Sequence, residues 1–212
     1  MSRLERQLYT HAWRYWINQL LLPFKLVLPQ PLIARIPGLT TNLDIRVGVV
    51  LAEVRGTLVD IGCGTNRLVQ RYRAQGGEGQ GLDVHPWPGV DRVVADTRAL
   101  PYPSGSVDTV TFVASLNHIP DREAVLREAV RILRPGGRVV ITYLTPLVSR
   151  LWHAWAFWDA DQHERGMEPG ERFGFTDAEI GAMLERAGLR VLRRAGFSWH
   201  LNHLYVCEKP AA

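Results

Sequence analysis

The segment Leu58-Val-Asp-Ile-Gly-Cys-Gly-Thr-Asn66 decides the fold class of this chain. A short apolar run ends in an aspartate and enters a turn with two glycines, which is typical of a buried parallel strand followed by a tight turn. In an open α/β sheet, ligands bind at the carboxyl ends of the strands, near the point where the strand order reverses. The segment therefore predicts a ligand-binding turn after the first strand of a parallel sheet.

Strands and helices alternate along the rest of the chain. Further strands are predicted over residues 79–84, 91–95, 107–114, 139–144, 189–195 and 200–208. The alternation implies a mostly parallel sheet covered by helices on both faces, so the predicted fold class is a Rossmann-like α/β three-layer sandwich. We expect residues 57–212 to form this domain, with an aromatic-rich insertion at 145–175 on the substrate side.

Residues 1–56 are predicted to form a helical extension that precedes the domain. Apolar spacing predicts one helix over residues 3–22 that ends at Pro23, an irregular stretch over 29–37, and a second helix capped by Thr41 or Asn42. The extension carries seven basic and three acidic side chains, whereas the remainder carries eighteen of each. This excess favours an anionic surface or substrate, but it is too small and too scattered to indicate nucleic-acid binding.

Localisation and metal binding are constrained by a few residues. The apolar stretch from Ile17 to Leu28 is interrupted by Pro23 and charged at Lys25, so we expect it not to span a bilayer. No secretory signal is expected and a cytoplasmic enzyme is predicted, with a peripheral membrane contact through the extension left open. Two cysteines exclude a disulfide framework and a four-cysteine zinc site, and no metal is predicted.

Three aspartates follow three successive predicted strands. Asp60 stands in the glycine turn, and Asp83 and Asp96 end the next two strands. A carboxylate at the second strand tip can accept both hydroxyls of a ribose, which also occurs in NAD sites. However, the dinucleotide fingerprint places its third glycine where Arg67 stands, and an acid in the turn suits an ammonium group better than a diphosphate. The pattern therefore favours an amino-acid-bearing cofactor.

The motifs over residues 57–144 resemble those of class I S-adenosylmethionine (SAM)-dependent methyltransferases. They are most similar to the small-molecule enzymes related to the ubiquinone and menaquinone pathways. The matching motifs are Val59-Asp-Ile-Gly-Cys-Gly-Thr, Gly81-Leu-Asp, Asp96 with Ala99-Leu-Pro-Tyr-Pro-Ser-Gly-Ser-Val-Asp-Thr-Val, Leu116-Asn-His-Ile-Pro-Asp and Leu133-Arg-Pro-Gly-Gly. One departure is Asn66, where the family usually has a third glycine. Because asparagine tolerates left-handed backbone angles, we expect the site to survive this change.

This resemblance implies a seven-stranded sheet of order 3-2-1-4-5-7-6 with the last strand antiparallel. It also implies SAM as cofactor and S-adenosylhomocysteine as product. By resemblance, Asp60 and the Gly62-Cys63-Gly64 turn hold the methionine portion. Asp83 with Val84 holds the ribose, and Asp96 with Thr97 the adenine. The backbone at Ala114–Ser115 is expected to close the pocket.

The methyl acceptor is predicted to be a small, apolar or aromatic molecule, because five of the seven tryptophans lie in the extension and the insertion. Two histidines are candidate catalytic bases: His163 in the insertion and His118 just past the fourth strand. Asp159 and Asp161 next to His163 are interpreted as a polar loop without metal. The alternatives are a non-catalytic SAM-binding regulatory subunit and an NAD-dependent oxidoreductase, and the sequence leaves the oligomeric state open.

Overall fold

A seven-stranded sheet forms the centre of the computed structural model, which describes residues 3–155 and 169–211. The strand order is β3-β2-β1-β4-β5-β7-β6. The strands are β1 Leu58–Ile61, β2 Gly79–Asp83, β3 Arg92–Val93, β4 Val107–Val113, β5 Leu133–Leu144, β6 Arg190–Phe197 and β7 Asn202–Glu208. The first five pair in parallel, and β7 runs antiparallel to both β5 and β6. The predicted fold class and strand order are confirmed.

Helices cover both faces of the sheet. They are α1 Arg3–Arg6, α2 Ala12–Leu20, α3 Leu22–Val27, α4 Gln30–Ile33, α5 Asn42–Leu51, α6 Arg67–Ala74, α7 Arg122–Ile132, α8 Pro146–Trp155 and α9 Asp177–Arg186. A 3-10 turn, Leu116–His118, follows β4. In the parts of the chain that the structure describes, no helix is both long and apolar enough to cross a bilayer.

Two apolar clusters join these layers. One cluster unites the sheet with α7 and α9, for example through Ala129 and Leu184, which have no exposed surface. The other unites the opposite face with α1, α5 and α6, through residues such as Leu4, Val49 and Leu68. Helix α5 therefore packs on the sheet as part of the sandwich, although it lies within the 1–56 segment that the sequence assigns to the extension.

The prediction of one helix over residues 3–22 is wrong. The chain leaves the helix after Arg6 and re-enters it at Ala12, where His11 is extended with φ −116° and ψ 139°. The break lets Leu4 join the cluster under the sheet while Tyr15 is buried on a separate helix. Pro23 does not end the helical region either, because it occupies the first turn of α3, where a missing N–H costs nothing. The stretch over 29–37, predicted to be irregular, contains the single turn α4.

Candidate cofactor and acceptor site

The turn after β1 is built from backbone that bends where side chains cannot fit. Gly62 and Gly64 have φ values of 70° and 52°. A Cβ on Gly62 would lie 2.5 Å from the Ser115 Cβ, whereas a Cβ on Gly64 would meet no atom within 4 Å. The backbone N–H groups of Gly62 and Cys63 donate to the Leu82 carbonyl at 2.8 and 3.0 Å, which ties the turn to β2. Gly62 is thus required for close packing, and Gly64 leaves open space above the turn.

Asn66 takes the conformation that the expected third glycine would have. Its φ is 59° and its side chain is fully buried. The amide nitrogen donates to the Gly89 carbonyl at 2.8 Å and to Asp91 Oδ2 at 2.9 Å. Asp91 Oδ2 also accepts the Gly81 N–H at 2.8 Å. The asparagine therefore accommodates the left-handed angle and adds a link between the turn, β2 and the loop that follows it.

Asp60 is buried beneath the turn. Only 1% of its surface is exposed, and Thr111 Oγ1 donates to its Oδ1 at 2.6 Å. Burial raises the pKa of Asp60 to about 7; the Thr111 hydrogen bond opposes this rise and the nearby Asp83 carboxylate adds to it. Burial, and then the charges of Asp60 and Asp83, also raise the pKa of the Cys63 thiol. Neither Asp60 nor Cys63 lines the cavity described below.

Asp83 stands at the tip of β2 with its carboxylate held by the backbone. Its Oδ2 accepts the Gly64 N–H at 2.9 Å, and its Oδ1 accepts the His85 N–H at 3.0 Å. An ionised carboxylate offers about four acceptor positions, so each oxygen retains capacity for a further donor. The side chain is fixed in place and can still accept two ligand hydroxyls.

A cavity of about 870 Å³ opens at this edge of the sheet. Among its lining residues are seven of the predicted cofactor residues and one predicted base: Gly62, Gly64, Asp83, Val84, Asp96, Thr97, Ser115 and His118. The backbone residue Ala114, with φ 55°, also contributes. Lining residues that the sequence did not single out are Thr65, His85, Trp87, Ala95, Arg98, Val113, Ile119, Pro120 and Asp121. Seven residues predicted to bind the cofactor and one predicted base therefore line the same cavity.

Arg98 changes the setting of Asp96. The Arg98 guanidinium donates to both oxygens of the Asp96 carboxylate at 2.8 to 3.0 Å. These hydrogen bonds hold the pKa of Asp96 below its usual range, although the pair is exposed to solvent. An adenine amino group at Asp96 would share this carboxylate with Arg98. The prediction that Asp96 ends a strand over residues 91–95 is wrong, because β3 ends at Val93 and Asp96 lies in the loop that follows, where Arg98 can reach it.

His118 ends the 3-10 turn and faces the cavity next to a carboxylate from a distant segment. Its Nδ1 lies 3.2 Å from Glu171 Oε2, and the Glu171 side chain has no exposed surface. The Arg172 N–H donates to the Asn117 carbonyl at 2.9 Å, and Arg122 donates to the Gly170 carbonyl at 3.0 Å. The segment that carries Glu171 is thereby fixed against the turn that carries His118.

His163, the other predicted base, lies outside the described residues, as do Asp159 and Asp161. Its role stays a prediction. Within residues 3–155 and 169–211, no three side chains of the histidine, cysteine, aspartate or glutamate type converge as a metal-binding group.

The residues around the cavity fit SAM on two observations of this structure. No atom lies within 4 Å of the point where a Gly64 side chain would begin, so a ligand can approach the backbone there. Any side chain at this position would occupy part of that space. The donors and acceptors also match, because Asp83 can accept ribose hydroxyls and the buried Asp60 carboxyl lies below the turn expected to hold an ammonium group. A volume of about 870 Å³ is within the range of small-molecule and cofactor pockets.

Comparisons with known proteins agree with this geometry. Residues 39–194 match the family model described as a methyltransferase domain. The chain is 30% identical over 113 residues to the ubiquinone/menaquinone biosynthesis C-methyltransferase UbiE of Hahella chejuensis, covering 51% of this chain and 39% of that protein. It is 27% identical over 176 residues to the ubiquinone biosynthesis O-methyltransferase of Cupriavidus pinatubonensis, covering 72% of this chain and 68% of that protein.

One solved structure with the same fold has a different activity in its name. The cyclase SpnF superposes with a TM-score of 0.63 at 17% identity, covering 92% of this chain and 96% of that one. A likeness at this identity establishes the fold alone. The chain also spans less than half the length of UbiE. The substrates of these proteins are therefore not carried over to this chain.

Proposed function

Because the chain belongs to the methyltransferase domain family, we propose that it transfers the methyl group of SAM to a small apolar or aromatic acceptor. Membership confirms the predicted class I SAM-dependent methyltransferase domain. The observation that carries the proposal is the single cavity that brings Asp83, the glycine turn and His118 together. Cofactor and acceptor can therefore meet in one cavity.

Bound SAM would supply a methyl group on a positively charged sulfur, and the neutral sulfur of S-adenosylhomocysteine would be the leaving group when an acceptor bonds to the methyl carbon in line. The residues of this chain then have to hold the two reactants in alignment, which can supply a large part of the rate. We assign the ribose hydroxyls to Asp83 and the adenine edge to Asp96 and Thr97. Ser115 fixes the opposite wall, because its hydroxyl donates to the Ile61 carbonyl at 2.6 Å.

We assign the role of general base to His118, for an acceptor that reacts through a hydroxyl. A hydroxyl that is protonated at neutral pH is a poor nucleophile, and an imidazole is suited to remove its proton. Glu171 touches Nδ1 of His118 at 3.2 Å, the arrangement in which a carboxylate orients an imidazole and stabilises its protonated form. Glu171 is thus proposed as a positioning residue.

The acceptor class follows from the walls beside His118. Trp87, Ile119 and Pro120 line the cavity with apolar or aromatic surface. The Trp87 ring lies against the His85 ring with 4.1 Å between centroids and 46° between planes, so both add aromatic surface to the cavity wall. UbiE is named a C-methyltransferase, whereas the relative from Cupriavidus pinatubonensis is named an O-methyltransferase. The two names therefore leave open which acceptor atom is methylated. We further propose that such an acceptor is met at a membrane, through the basic extension.

The test is to incubate the full chain with SAM and a panel of hydroxylated aromatic compounds, and to measure S-adenosylhomocysteine by mass spectrometry. We expect turnover with at least one of them. We expect His118→Ala to lower kcat by about 10²–10⁴-fold while the affinity for SAM is preserved. His11→Ala, an exposed histidine on the extension, is the matched control and should be neutral. Binding of SAM without product for any acceptor would favour the non-catalytic alternative.

Glu171 is tested by a double-mutant cycle with His118. If Glu171 acts through His118, then Glu171→Ala lowers kcat and has no further effect in the His118→Ala background. Glu171→Gln, which keeps the size of the side chain, should restore part of the rate. Additive losses in the double variant would contradict the positioning role.

A further inference from the structure

Helices α2 and α3 expose their apolar side to solvent. Trp13, Trp16, Leu20, Phe24 and Val27 are 58%, 54%, 75%, 61% and 44% exposed. They follow one another at intervals of three and four residues, which places them on one side of the nearly continuous helical segment. We call these five residues the outer face. A contiguous apolar surface of this kind marks an interaction site more often than isolated exposed apolar residues do.

The buried side of the same helices contains a polar pair beside Tyr15 and Leu22. Asn18 and Lys25 are each 1% exposed, and Lys25 Nζ donates to Asn18 Oδ1 at 3.0 Å. The Asn18 amide donates to the Gly38 carbonyl at 2.8 Å, and its Oδ1 accepts the Thr40 N–H at 2.8 Å. Rotating α2 to bury its tryptophans would break these bonds and expose Tyr15. The polar contacts therefore fix the helices with the outer face towards solvent.

The segment that carries the outer face has exposed arginines and no exposed acidic side chain. In residues 3–41 the one carboxylate is Glu5, which is 2% exposed and accepts from Gln19 Nε2 at 3.3 Å and Ser198 Oγ at 3.2 Å. Arg6 and Arg35 are exposed, and Arg14 is half-buried. Exposed tryptophan, phenylalanine and leucine together with arginines and no exposed acid match the interfacial region of an anionic bilayer. A second copy of this chain would instead bring like charges together.

Polar contacts join the segment after α3 to the helix that follows the glycine turn. The Asn42 N–H donates to Gln30 Oε1 at 2.8 Å, which joins the segment after α3 to the start of α5. Asp44 in the first turn of α5 pairs with Arg67 at 2.7 Å, and Arg67 begins α6 directly after the glycine turn. These two contacts connect the extension to α6.

We infer that the outer face of α2 and α3 docks on an anionic lipid bilayer. The inference deepens the membrane contact in the proposed function and rests on it for the source of the acceptor. The aromatic and aliphatic side chains enter the boundary between headgroups and acyl chains, while the arginines face the lipid phosphates. An apolar acceptor dissolved in the bilayer is then concentrated at the surface to which the chain is bound.

The experiment is co-sedimentation of the full chain with vesicles of phosphatidylcholine alone and of phosphatidylcholine mixed with phosphatidylglycerol. We expect binding to the anionic vesicles that weakens with salt and is much lower on neutral ones. The double variant Leu20→Ser/Phe24→Ser should bind anionic vesicles about tenfold less tightly or worse. Val93→Ser on β3, 53% exposed and at the sheet edge remote from β6 and α1, is the control and should bind as the original chain does.

Two outcomes would overturn the inference. One is equal vesicle binding by the original chain and Leu20→Ser/Phe24→Ser. The other is absence of vesicle binding by a dimeric chain that becomes monomeric in the double variant, which would assign the outer face to contact between copies. Failure here is separable from failure of methyl transfer, because calorimetry with S-adenosylhomocysteine and turnover of a water-soluble acceptor are measured on the same variant without lipid.

Discussion

The glycine turn after β1 and the outer face of α2 and α3 are built in opposite ways. The turn is formed by backbone that leaves no room for a side chain at Gly62, and hydrogen bonds tie its N–H groups to β2 and the Asp60 carboxyl beneath it to β4. The outer face is formed by large apolar side chains that point away from a polar interior around Asn18 and Lys25. One region is closed by packing, and the other is open to a partner.

Because of this difference, solvent-exposed surface indicates a different kind of binding partner in each of the two regions. Open space above Gly64 is bounded by fixed donors and acceptors, so it selects a ligand of defined chemistry. Exposed surface on α2 and α3 has no defined polar pattern, so it fits a broad apolar partner. Substitutions that affect one region should therefore leave the other unchanged.

Gly62→Ala and Gly64→Ala should have different effects, the first mainly on the stability of the fold and the second mainly on the affinity for SAM. Gly62→Ala combines a left-handed backbone penalty with a clash against Ser115, and we expect the free energy of unfolding to fall by about 2–5 kcal/mol. Gly64→Ala meets no atom, so it should cost only about 1–2 kcal/mol but weaken SAM binding. Urea unfolding and calorimetry measure the two effects. Similar stability losses in both variants would remove the distinction.

Lys25→Met should remove a pH dependence that belongs to the extension. Burial lowers the pKa of Lys25 from 10.5 to about 8, while Glu5 opposes the change. Between these values the unfolded chain binds a proton that the folded chain does not, so the free energy of unfolding should rise with pH there, by on the order of 3 kcal/mol. Below pH 8 the folded chain carries the full free-energy cost of burying the charged Lys25. Urea unfolding across this range should show the rise in the original chain and not in Lys25→Met; parallel curves would contradict the burial of a charged lysine.

Asp83→Asn tests whether the carboxylate at the tip of β2 binds the ribose of SAM. Loss of hydrogen bonds from a charged acceptor costs about 1.5–3 kcal/mol each, so the affinity for SAM should fall by roughly 10- to 150-fold. Glu185→Gln, which removes an exposed carboxylate on α9, is the control and should have no effect. Vesicle binding should be the same in both variants. Unchanged calorimetric affinity in folded Asp83→Asn would refute the ribose assignment.

Asp60 should make the affinity for SAM depend on pH. Because its pKa is raised to about 7, the carboxyl is protonated below that value, and only the ionised form attracts an ammonium group. Affinity should fall by up to about tenfold for each pH unit below 7, and Asp60→Asn should abolish the slope. A calorimetric titration series measures it. An affinity that is independent of pH in the original chain would place the ammonium group elsewhere.

The turn was predictable because its constraints are local in sequence. Positive φ angles select Gly62, Gly64 and Asn66 directly, and a strand that ends at Asp83 places that carboxylate at the ligand edge. The order of the seven strands followed from motifs that each occupy a fixed place in the resembled family. Local chemistry and chain order were therefore enough to predict residues that line one cavity at the carboxyl edge of the sheet.

The other residues depend on contacts that no local pattern records. Glu171 meets His118 across more than fifty residues, and Arg98 is placed by the loop after β3. The helix over 3–22 was misjudged because an apolar period does not record the break between Arg6 and Ala12, which puts Leu4 and Tyr15 on separate helices. In α2 the buried side carries Asn18, so the tertiary contacts with Gly38 and Thr40 decide the orientation.

We expect the cavity above the glycine turn to bind SAM through the residues assigned to it. Calorimetric titration of the full chain with S-adenosylhomocysteine and, separately, with NAD measures this binding. We expect saturable binding of S-adenosylhomocysteine that Asp83→Asn weakens by roughly 10- to 150-fold, and no binding of NAD. Binding of NAD in place of S-adenosylhomocysteine, or S-adenosylhomocysteine affinity that is indifferent to Asp83, would contradict this expectation.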